Sequence, residues 1–166
     1  MTSSPAPQRP TLRVALYQPD IAGNTGSILR TAACLGFAVH LIGPVGFDAS
    51  DRALRRAGMD YLAMAALTRH DDWAAFEAWR AEQGLRLALL TTKAAKPYTT
   101  HDFPTDEVLL FGSESAGVPG HVHETADARL TIPMVPGARS LNLAVSVGIV
   151  AAEALRQQSV GGKPPP

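Results

Sequence analysis

A single cysteine, Cys34, stands among 166 residues. It excludes an intramolecular disulfide and any multi-cysteine zinc site, and its simplest place is a buried apolar position. An excess of charge is equally lacking: 15 Lys and Arg face 15 Asp and Glu, so the formal net charge is zero. Any nucleic-acid binding must therefore come from a local patch and not from a global field. No apolar run approaches the length of a membrane span, and the opening "MTSSPAPQRP" lacks the apolar core of a secretory signal. The chain is expected to be soluble and cytoplasmic, with no membrane contact. The five histidines are scattered, and His121 with His123 makes no adequate ligand set, so no metal is expected. The glycine fingerprint that follows the first strand of dinucleotide-binding folds is also missing, which argues against a nicotinamide-dependent oxidoreductase.

What is present is an ordinary globular composition, 46% hydrophobic and 18% charged, at a length that suits one domain. Residues 1–10 and 159–166 are rich in Ser, Pro and Gly and read as tails, leaving 11–158 as the folded unit. Strand and helix alternate along it. "LRVALY" (12–17), "FAVHLIG" (37–43), "LRLALLT" (85–91), "EVLLFG" (107–112) and "RLTIPM" (129–134) are near-continuous apolar runs of strand length. Between them, "NTGSILRTAACLG" (24–36) is helical up to Gly36. "SDRALRRAG" predicts a short helix capped by Ser50 and stopped by Gly58, and 70–84 is amphipathic with Trp73, Phe76 and Trp79 as a core stripe. A last helix covers about 140 to 157. This rhythm predicts an α/β fold, a parallel sheet covered by helices on both faces.

Ligands of such sheets bind beyond the carboxyl ends of the strands, which singles out the loops after Tyr17, Thr91, Gly112 and Met134. Three of them carry unusual polar clusters. In "GNTGSILR" (23–30), Gly26 and Arg30 share a helix face, and a helical side chain leans toward its own N-terminus. Arg30 can then pass the missing side chain of Gly26 and aim at the preceding loop. The plainer reading is a surface arginine with Asn24 as N-cap. "SESAGVP" places Glu114 between two glycines that can bring backbone amides near a ligand, or that simply make a turn. "VPGARSLN" sets Ser140 and Asn142 at the start of the last helix, as ligand contacts or as caps. The last helix is apolar nearly all round, with small residues at Ala144, Ser146, Gly148, Ala151, Ala152 and Ala154. It is expected to be closely approached by other backbone and to serve both core and subunit interface.

"NTGSILR", "LLFGSESAGVP" and "IPMVPGARSLNLAVS" resemble, in order, the three motifs of the SpoU class of the SPOUT RNA methyltransferases, over about residues 12–157. "GFDASDRALRRAGMDY", "LTRHDDW" and "LTTKAAKPY" look like the smallest SpoU subfamily, tRNA (cytidine or uridine) 2′-O-methyltransferases acting at the wobble nucleotide. The stretch "SLNLAVSVGIVAAEAL" is closer to SpoU enzymes in general than to the "NLSNAVSV" form common in that subfamily.

The resemblance implies a C-terminal trefoil knot, S-adenosyl-L-methionine as cofactor, a homodimer joined by terminal helices, and the tRNA anticodon arm as substrate. It implies Leu90, Gly112, Ile132 and Ser140 as cofactor contacts, and Asn24, Arg30, Glu114, Ser140 and Asn142 as the polar, catalytic side. Arg52, Arg55, Arg56, Arg69, Lys93, Lys96 and Arg139 are candidates for phosphate contact. The first three can equally decorate a solvated helix. Action on another tRNA or rRNA position, and a non-catalytic RNA-binding module of the same fold, are the alternatives.

Overall fold

The computed structural model describes residues 11–56 and 64–160. The expected tail at 1–10, residues 161–166 of the tail expected over 159–166, and Gly58 as a helix stop lie outside them, whereas Ser159 and Val160 continue the last helix. β1 (Arg13–Tyr17) leads into α1 (Ala22–Leu35), then β2 (Ala38–Ile42), α2 (Asp51–Arg56), β3 (Ala66–His70), α3 (Trp73–Glu82) and β4 (Arg86–Leu90). β5 (Lys96–Pro97), a 3-10 turn (Tyr98–Thr100), β6 (Glu107–Phe111), α4 (Gly120–Thr125), β7 (Ala128–Thr131) and α5 (Leu143–Val160) complete the order. The strands form one seven-stranded sheet, β3-β2-β1-β6-β4-β7-β5, in which each pair is parallel.

Side chains alternate across the central strands, which is why their apolar runs are nearly unbroken. Val14, Leu16, Leu109 and Phe111 pack under α1 and α5, while Ala15, Tyr17, Val108 and Leu110 pack on the opposite face with Phe76 of α3 and Val122 of α4. Each fully buried leucine or valine contributes about 1.5–3 kcal/mol. α1 ends where Gly36 adopts a left-handed φ of 81°, a conformation that costs glycine little. Ser50 Oγ accepts the Ala53 amide at the start of α2, the expected cap.

Several expectations change. β3 and β5 were not anticipated: β3 is an edge strand whose sequence, "ALTRH", has no apolar alternation, and β5 has two residues. The helix expected over 70–84 begins at Trp73, because His70 closes β3 and Asp72 caps the helix by accepting the Ala75 amide at 2.8 Å. α5 is shifted toward the C-terminus of its expected span. Cys34, expected inside, is exposed in the last turn of α1. Gly148, expected to be closely approached, has no described atom within 4 Å of the position a Cβ would take.

The aromatic stripe of α3 is core at Phe76 and half-buried at Trp73 and Trp79, and it encloses a pair of histidines. His40 Nδ1 lies 2.9 Å from His70 Nε2, with the His40 ring 4.2 Å from that of Trp79 between centroids. One proton serves that contact. Burial first, then the nearby His70 and Arg13, push the His40 ring down to about 4, and burial lowers His70 too. Since the folded value of His40 lies below its unfolded value of 6.5, its stabilising share is complete above about pH 6.5 and is lost as pH falls through about 4. Chemical denaturation across this range should show His40→Gln losing less stability than the parent, by on the order of 3 kcal/mol. Parallel pH curves would contradict the assignment.

Candidate active site

β1 is the switch point of the sheet: the chain leaves it toward β2 on one side and has β6 and β4 on the other. Beyond the carboxyl ends of the strands on the β6 side lies a cleft of about 530 Å³, within the range of small-molecule sites. The ends of β4, β6 and β7 supply Leu90, Gly112 and Ile132, the start of α5 supplies Ser140 and Asn142, and α1 supplies Asn24. Thus all four loops singled out in the sequence border one cavity, the loop after Tyr17 through Ile21, and Asn24 in the first turn of α1 completes it.

The polar groups there are joined in a chain. Glu114 Oε2 accepts the Asp20 amide at 2.7 Å, and Oε1 accepts the Ile21 amide at 3.3 Å and Asn24 Nδ2 at 3.2 Å. Asn142 Nδ2 in turn donates to Asn24 Oδ1 at 3.0 Å. Asn24 is therefore not the N-cap of α1. That position is Ile21, which has no capping side chain, and the Glu114 carboxylate accepts the free amides of this helix terminus from 93 residues away. Asn142 does cap α5, accepting the Val145 amide at 3.2 Å while bridging to Asn24. The cap reading of that residue is met, and the same side chain lines the cleft.

The loop from Gly112 to Gly117 folds tightly onto itself. Ser113 and Gly117 exchange backbone bonds of 3.0 and 2.9 Å, and a Cβ on Gly112 would stand 2.6 Å from the Gly117 backbone. His123, dismissed at the sequence level, also lines the cleft, and its buried Nε2 has no hydrogen-bond partner among the described residues. Leu89, Leu90 and Ile132 give this cavity apolar walls beside its polar chain. Among the described residues no group of three His, Cys, Asp or Glu could hold a metal ion, and no helix is long and apolar enough to cross a membrane.

Arg30 is exposed on α1 and is not among the residues lining the cleft, although Asn24 of the same helix is. The other cations divide. Lys93 reaches the cleft wall, and Arg139 is exposed beside Ser140. Arg52, Arg55 and Arg56 of α2 line a shallow hollow of about 600 Å³ with Asp51, and Arg69 of β3 pairs with Asp51 at 2.6 Å. Lys96 is on β5, with Nζ 3.4 Å from His101 Nδ1. Because β3 and β5 are opposite edges of the sheet, Arg69 and Lys96 are separated by about 30 Å at the usual strand spacing.

Residues 11–152 match the family described as the SpoU rRNA Methylase family. The chain is 57% identical over 144 residues to a tRNA (cytidine(34)-2′-O)-methyltransferase of Beijerinckia indica, covering 87% of this chain and 90% of that one. Its fold superposes with a TM-score of 0.83 on a structure reported as giving insights into the 2-OH methylation of C/U34 on tRNA, at 42% identity, covering 90% and 97% of the two chains. It superposes at 0.82 on the SpoU methyltransferase AviRb from Streptomyces viridochromogenes in complex with AdoMet, at 26% identity, covering 94% of this chain and 60% of that one. The three motifs that meet in the cleft and the match along nearly the whole folded chain lead to one conclusion: this protein belongs to the SpoU rRNA methylase family.

Proposed function

We propose that the chain is a tRNA 2′-O-methyltransferase, using S-adenosyl-L-methionine to methylate the ribose 2′-hydroxyl of the wobble nucleotide, a cytidine or modified uridine. The observation that carries the reading is the chain Glu114–Asn24–Asn142, which ties the three motif-bearing segments around one cleft of cofactor size. The curated relative and the solved structure named above act at nucleotide 34 by their own descriptions, which supports the wobble position.

Leu90, Gly112, Ile132 and Ser140 would hold the cofactor, whose chemical contribution is an electrophilic methyl group. Asn24, Glu114 and Asn142 keep the motif segments in register. Arg30 is assigned to the substrate side. A guanidinium has a pKa above about 12 and is a poor proton acceptor, so Arg30 acts as a cation beside the developing alkoxide or its phosphate, not as a base. Exposure on α1 leaves it reachable by RNA. Arg52, Arg55, Arg56 and Arg69 at one sheet edge, and Lys93, Lys96 and Arg139 nearer the cleft or the other edge, are phosphate contacts in this reading.

The same reading places the chain in the cytoplasm as a homodimer, with the C-terminal segment threaded as a trefoil knot. The half-exposed Val145, the exposed Ala152 and the open side of Gly148 share the outer part of α5, a face that a second copy could approach closely. Sedimentation as a stable, active monomer would refute the dimer.

Mapping 2′-O-methylated nucleotides in tRNA from cells with and without this chain tests the function. Loss of methylation at nucleotide 34 is expected. Loss at another tRNA or rRNA position would move the substrate, and an unchanged map with intact RNA binding would favour a non-catalytic module.

A further inference from the structure

Glu114 is one half of a reciprocal arrangement whose other half no motif marks. While the Glu114 carboxylate takes the amides of Asp20 and Ile21, the Asp20 carboxylate reaches back to the same loop. Its Oδ2 accepts the Ser115 amide at 3.0 Å and Ser115 Oγ at 2.5 Å. Two acidic side chains thus each cap the other's loop across a sequence separation of 95 residues. These bonds hold the Asp20 carboxyl below the usual carboxylate range, the Ser115 hydroxyl contributing most.

The local backbone is shaped for this contact. Gln18, immediately after β1, has a φ of 44°, rare for a residue with a side chain. Its amide bonds to Ile42 O at 2.9 Å, which fixes the turn that directs Pro19 and Asp20 toward the loop. Gly46 packs behind them: a Cβ there would stand 3.2 Å from Asp20 Cα. Asp20 is therefore held from behind while its carboxylate grips Ser115.

We propose that Asp20 and Ser115 are positioning residues of this site, a latch that fixes the Ser113–Gly117 wall of the cleft and the stance of Glu114, and so sets cofactor affinity. The inference rests on the cofactor reading of the cleft. Asp20 stands outside the cleft lining, whereas Ser115 belongs to the loop that forms it; the pair acts through Glu114 and the loop backbone. Without the latch, the loop retains its internal Ser113–Gly117 bonds and the Glu114 bonds to the β1–α1 amides, but loses the charge-assisted contacts of the Asp20 carboxylate with Ser115, the stronger kind of hydrogen bond.

The test is calorimetric titration of the full chain with S-adenosylhomocysteine, the demethylated product. Asp20→Ala should weaken binding about tenfold and Ser115→Ala about threefold. The double variant should be no weaker than Asp20→Ala alone, because both changes remove one contact. Ser115→Thr, which keeps the hydroxyl, should bind within about twofold of the parent. Asp72→Ala, which removes the α3 cap on the other face of the sheet, should lower the unfolding temperature without changing affinity, separating a latch from general stability. Parent-like binding by Asp20→Ala and Ser115→Ala, or additive losses in the double variant, overturns the latch while the cofactor reading survives. No binding by the parent chain overturns both. Should Asp20→Ala not fold, the comparison of Ser115→Ala with Ser115→Thr decides: equal affinities overturn the proposal.

Discussion

Arg30→Ala will reduce single-turnover methyl transfer to tRNA by about a thousandfold or more at saturating cofactor and RNA. The reason is charge. A ribose hydroxyl is a very weak acid, and negative charge builds on its oxygen as the proton departs, ahead of full bonding to the methyl carbon, so a cation beside it stabilises the transition state over the neutral hydroxyl of the ground state. Because Arg30 is exposed and outside the cleft wall, its loss should leave S-adenosylhomocysteine affinity unchanged and shift thermal unfolding by no more than about 4 °C. Arg30→Lys should restore little, since an ammonium cannot reproduce the planar fork that grips an oxyanion or phosphate at two points. Arg55→Ala, on the shallow α2 hollow, should instead weaken RNA binding and its salt dependence while the saturated rate persists. Parent-like turnover by Arg30→Ala, or loss that only tracks unfolding, returns Arg30 to the role of a surface residue.

Gly112→Ala is expected to weaken cofactor binding by about tenfold to a hundredfold. The added Cβ would lie 2.6 Å from both Cα and C of Gly117 and 2.9 Å from its carbonyl oxygen. These are backbone atoms, and Gly117 is itself held at a φ of 65° within the paired turn with Ser113, so no side chain can swing away to make room. The loop must open, and it is the wall that carries Glu114. Gly120→Ala is the control: it lies at the start of α4, where a Cβ meets nothing within 4 Å, and it should bind as the parent does. Calorimetry with S-adenosylhomocysteine reads both variants. Equal affinity for Gly112→Ala and the parent would mean that close approach of the two loop ends is not what the site needs.

The site was legible in part because its chemistry sits where α/β sheets offer room. Asn24, Glu114, Ser140 and Asn142 follow strand ends in the sequence, and all four line the cleft. Asp20 does not stand out there. A lone acid after Pro in a turn has no sequence signal, and its partner Ser115 is 95 residues away. His123, weighed in the sequence only as a metal ligand, carries no signal of its place for a related reason: a histidine on a short helix becomes a cleft residue only when the fold sets it beside the distant strand ends. β3 escaped notice because its four residues before His70 are only partly buried or exposed, and apolar periodicity reports burial, not backbone pairing.

Local composition and hydropathy determined the parallel sheet, the positions of its five apolar strands along the chain, the end of α1 at Gly36 and the strand-end loops that hold the polar motifs. These follow from interactions within a few residues or from burial on both sheet faces, which leaves an unbroken apolar run wherever the strand lies. Tertiary structure alone decided which polar groups meet. It gave the Glu114 carboxylate to the amides preceding α1, joined Asn24 to Asn142 over a separation of 118 residues, paired His40 with His70 beneath Trp79, and sent Arg69 and Lys96 to opposite sheet edges. Such contacts depend on the relative placement of elements set by packing and sheet register. A hydrogen bond between distant residues is specified by distances of about 3 Å, and no propensity of either residue alone encodes it.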